Sequence, residues 1–150
     1  MTAQRQVAAS STRAALVSAV GFAGVGGLFV LLGAASILTG TPAQAHDLAP
    51  LTGPGDIVSR FGEMAPLLSA IVAALVTGAV AVLVAARRLD ALAAATELLI
   101  LGVVIEVCVL GAVGRIGHST DGSVLGAAVV CLMGGTAVFA GGIVALLARK

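Results

Sequence analysis

The sequence predicts an all-α fold: an integral membrane bundle of four transmembrane helices with the N- and C-termini in the cytoplasm. Three observations carry this. Four apolar runs, 14–38, 64–86, 92–113 and 124–148, hold 22–25 residues each, enough to cross about 30 Å of hydrocarbon at about 1.5 Å rise per residue. Charged residues make up only 10% of the chain and apolar ones 59%; a soluble domain carries about 25% charged residues and could not cover its surface with so few. Finally, the basic residues fall mostly on alternate connections, which fixes an orientation.

The first run follows Arg5 and Arg13 in the expected tail 1–13. It is a possible signal anchor that stays uncleaved. Ala43-Gln44-Ala45 fits the A-x-A pattern of a signal-peptidase site, and cleavage there would leave His46 as an N-terminal copper-binding residue. The run, however, is 25 residues long, against about 7–15 for a signal-peptide core. The connection 39–63 holds three of the four prolines and is expected to be an irregular outer loop, with Asp56 capping a short helix through Phe61. The second and third runs are separated by only 87–91, so they should form an antiparallel hairpin. The outer turn 114–123 contains Gly-His-Ser-Thr-Asp-Gly-Ser, turn-forming by composition. The fourth run leads into the tail 149–150.

Arg5, Arg13, Arg87, Arg88, Arg149 and Lys150 lie on one set of connections, and only Arg60 and Arg115 on the other. The positive-inside rule then places both termini and 87–91 in the cytoplasm of a bacterial inner (plasma) membrane. The apolar runs show no one-sided stripe, so each must meet lipid or protein all round. In lipid the backbone has to satisfy its own hydrogen bonds, which makes each run a helix.

Glu106 breaks the third run. It lies about 20 Å from the start of that run, at a depth where a charge costs at least about 2.5–3.5 kcal/mol. A carboxyl there either takes a proton or finds a partner. Thr77 and Thr136 are the hydroxyls at matching depth in the neighbouring runs. Glu97 and Arg115 each stand nine residues away, half a turn out of phase, so Glu97 should reach for the cytoplasmic interface instead. Glu106 can serve packing, carry a proton, bind a cation or pair with another subunit.

Soft ligands gather in the outer half: His46, Met64, Cys108, His118, Cys131 and Met133. Thiolate, thioether and imidazole suit Cu(I), although none of these residues forms a tight ligand motif. The two cysteines also read as small apolar packing residues.

The stretch LTGPGDIVSRFGEMAPLLSAIVAALVTGAVAVLVAARRLDALAAATELLILGVVIEVCVLGAV, residues 51–113, resembles the N-terminal portion of CopD-type copper-resistance membrane proteins. The shared features are an outer loop with a Gly-Pro turn, a glycine-rich helix ending in basic residues, and a following helix. The resemblance implies copper handling and further helices beyond the four present. It carries over no copper ligand residue by residue.

Glycines mark the packing faces. Gly134 and Gly141, like Gly135 and Gly142, are seven apart and share a face, where small residues let helices approach closely. Such a face serves either the bundle itself or a partner helix.

Net charge +1, with no Trp and no Tyr, gives neither a basic footprint nor a stacking platform for nucleic acid. No nucleophile–base set, phosphate loop or intramembrane His pair is present. The expectation is therefore a small non-catalytic multi-pass membrane protein, an accessory or assembly subunit whose partners are the lipid bilayer and other membrane subunits, with no cofactor. The alternative is a copper-, proton- or cation-handling protein.

Overall fold

A computed structural model describes the backbone at residues 2–40, 54–116 and 122–148, and the side chains at 12–38, 65–113 and 125–148. Four helices account for nearly all of it: α1 (Thr2–Gly40), α2 (Pro54–Ala85), α3 (Ala91–Ile116) and α4 (Gly122–Leu147). Each contains a segment long and apolar enough to span a membrane: Thr12–Leu38, Ala65–Ala85, Ala91–Val113 and Leu125–Leu147. Between 28% and 44% of each segment is buried inside the bundle, so the remainder needs an apolar solvent. Residues such as Val17, Leu32, Leu75, Val107 and Leu125 supply that outer face.

The helices run further than the apolar runs. α1 enters the expected tail 1–13, and α2 begins inside the expected loop 39–63. Pro54 explains the second extension: its fixed φ and missing N–H suit the first turn of a helix. The short helix expected at 56–61 is the first part of α2. Pro66 sits inside α2 and costs one backbone bond, which membrane helices tolerate when neighbours pack the site. Its ring lies beside Gly111, where an added Cβ would be 3.9 Å away.

The order is up-down-up-down, and the ring closes. α1 packs on α2, α2 on α3, α3 on α4, and α4 returns to α1, while α1 and α3 barely touch across the diagonal. Thirteen of the twenty-three buried apolar residues among those described are alanine, so the helices pack close to one another. Lipid offers no hydrophobic drive between helices, and close van der Waals contact must supply the association.

The α1–α4 seam is the closest. A Cβ built on Gly26 would fall 2.6 Å from the Gly134 carbonyl oxygen, and one on Gly33 would fall 2.7 Å from the Ala127 oxygen. Gly141 meets Ala19 and Phe22 at the other end of the same seam. The α3–α4 seam is built likewise, with Gly102 against Phe139 and Gly142 against Leu99. All four glycines singled out in the fourth run therefore face neighbours within the bundle.

The α2–α3 connection is a hairpin, as its length required. Arg87 N–H donates to the Val84 carbonyl at 3.0 Å and Arg88 N–H to the Leu83 carbonyl at 2.9 Å, the paired bonds of a Schellman cap. That cap puts Arg87 at φ 56°, a left-handed conformation that costs a non-glycine residue about 1–2 kcal/mol. Asp90 then starts α3 by accepting the Ala93 N–H at 2.7 Å.

Candidate functional site

The site is built on the α3–α4 seam. Ile105 is fully buried, which turns the next residue, Glu106, to the edge of the seam, half-buried. Opposite it, Gly135 leaves a notch: a Cβ there would come within 3.0 Å of Glu106 Oε1 and 3.2 Å of its Cδ. The carboxyl fills that notch. Beside it, Thr136 Oγ1 donates to Glu106 Oε1 at 2.8 Å.

This bond departs from the local rule. Ser18, Ser36, Ser69, Thr77 and Thr96 each donate to the carbonyl four residues earlier in their own helix, at 2.8–3.1 Å. That back-bond is the default for a hydroxyl in a membrane helix. Thr136 instead crosses to another helix. Of the two hydroxyls at matching depth, Thr77 is fully buried and bonded to Ala73 at 2.8 Å, which leaves Thr136 to the carboxyl.

Thr136 is exposed, so the pair opens onto the outside of the bundle. Thr136 is the hydrogen-bond partner of the Glu106 carboxyl among the described residues, and it occupies Oε1. The arrangement can accept one more donor from outside, hold a proton, or meet a cation. Glu97 is also exposed, nine residues towards the hairpin.

The other candidates separate. His46 and His118 lie outside the described residues, and Met64 lies in α2 with its side chain outside them. Cys108 is half-buried. Cys131 is fully buried in the α1–α4 seam, its thiol 3.5 Å from the Val30 carbonyl oxygen to which it donates. Among the described residues no group of three or more His, Cys, Asp or Glu comes together. The sequence marked Gly135 as a packing residue and missed its second role as the space for Glu106. The signal was there in adjacent positions, a glycine followed by a threonine at the depth of the carboxyl.

Four apolar helices in a closed ring, with one polar pair at mid-seam, define a multi-pass membrane protein in contact with lipid. No protein-family model, curated protein or solved structure matches this chain.

Proposed function

We propose that the chain is a non-catalytic subunit of a bacterial inner-membrane assembly, with both termini cytoplasmic, and that a partner helix docks on its α3–α4 seam. Glu106 is the polar anchor. One observation carries the reading: an intramembrane carboxyl stands at the outer edge of the bundle with one oxygen engaged by Thr136 at 2.8 Å. A carboxyl facing lipid alone would be costly, and a donor on a partner helix offsets that cost.

The test is co-purification from native membranes in mild detergent. Wild-type protein should bring down a companion in fixed stoichiometry, Glu106→Leu should lose it, and Glu106→Gln, which keeps the hydrogen-bonding shape, should retain part of it. A chain that always emerges as a lone monomer sinks the proposal, as does Glu106→Leu holding the same companion as wild type. The alternative reading, copper, proton or cation handling, draws on the same carboxyl and on Cys108 and Cys131. Metal content of the purified protein separates the copper reading from the docking one.

A further inference from the structure

A groove of about 490 Å³ lies between the start of α1 and the end of α2, lined by Arg13, Leu16, Val20, Val84 and Arg87 among others. Its size falls in the range of about 300–1,000 Å³ usual for small-ligand sites. Its position is informative. The apolar segment of α1 begins at Thr12 and that of α2 ends at Ala85, so the groove straddles the boundary between hydrocarbon and water. Its floor is apolar and its rim carries two guanidinium groups. Arg13 and Arg87 are both exposed, and neither forms an ion pair among the described residues.

The cap of α2 fixes where the second guanidinium stands. Arg87 holds φ 56° at the cap of α2, a place where glycine ordinarily stands because it adopts that conformation without strain. Here the strained conformation carries a long cationic side chain at the rim of the groove.

We propose that this groove binds one anionic phospholipid. An acyl chain lies along Leu16, Val20 and Val84, and the headgroup phosphate sits between Arg13 and Arg87, whose planar forks match phosphate oxygens. Basic pockets between membrane helices at headgroup level take such lipids. The apolar floor selects a lipid over free phosphate, which would leave it uncovered. The proposal needs only the α1–α2 groove and stands or falls apart from the docking role of Glu106.

Native mass spectrometry of the full chain released from detergent micelles tests it, with dioleoyl phosphatidylglycerol and dioleoyl phosphatidylcholine as probes. Wild-type protein should retain phosphatidylglycerol at least about tenfold better than phosphatidylcholine. Neutralising Arg13→Gln and Arg87→Gln together should weaken retention roughly twenty-five-fold, at roughly fivefold for each arginine. Arg88→Gln, whose residue is not in the groove lining, should change little, and all variants should keep the wild-type circular dichroism. Equal retention of the two lipids by wild-type protein overturns the proposal even if a variant fails to fold. So does an Arg88→Gln effect as large as that of the double variant. Complete displacement of the lipid by millimolar inorganic phosphate would show a free-anion site and also overturn it.

Discussion

Gly134→Ala tests how closely α1 and α4 approach. An added Cβ would lie 2.6 Å from the Gly26 carbonyl oxygen, 2.7 Å from Val30 Cγ2 and 2.9 Å from Val30 N. Ordinary contact begins at 3.4 Å, so relief of the shortest contact needs about 0.8 Å of movement, 3.4 minus 2.6. Two of the three atoms are backbone and cannot rotate away, so the helix itself must retreat. Overpacking of this kind costs about 1–3 kcal/mol. Gly24→Ala is the control: nothing lies within 4 Å of its added Cβ, and a helix gains about 0.5–1 kcal/mol from that change. Cys131 reports the outcome, because it is fully buried in the same seam. In a Cys108→Ser background, a maleimide should label Cys131 only when the seam opens. A cost of about 1–3 kcal/mol raises the open fraction, and hence the labelling rate, roughly five- to 150-fold. Equal labelling of the Gly134→Ala and Gly24→Ala proteins would refute the argument that backbone contact at Gly134 holds the seam.

Two further expectations concern the α2–α3 hairpin and the orientation of the bundle. Arg87→Gly should relieve the left-handed strain at φ 56° and raise stability by up to about 1 kcal/mol; a loss in melting temperature would mean that the arginine side chain contributes more to the fold than its backbone costs. For orientation, a phosphatase reporter active only outside the cytoplasm should be silent when fused after residue 148 and active when inserted in 39–53; the reverse pattern would invert the topology read from the arginines.

The spans were legible in the sequence because transfer into lipid is a local property: 64–86 announces itself whatever surrounds it. Helix ends were less so. α2 continues back to Pro54 because a helix, once begun, does not stop where hydrophobicity does. The choice between Thr77 and Thr136 as partner of Glu106 was narrowed by depth alone, and tertiary packing decided it by burying Thr77, bonded to its own helix, and leaving Thr136 at the seam edge. The groove was invisible because Arg13 and Arg87 meet only through the antiparallel register of α1 and α2. A glycine at position 87 would have signalled the Schellman cap, and an arginine conceals it.

The ring closes between α1 and α4, helices far apart in the chain. Gly26 and Gly33 on α1 find their counterparts on Gly134 and Ala127, about a hundred residues later in the chain. Until α4 leaves the insertion machinery, α1 has an unmatched edge in the lipid. A chain halted after the α2–α3 hairpin would leave that edge of α1 facing lipid, whereas docking of α4 buries it.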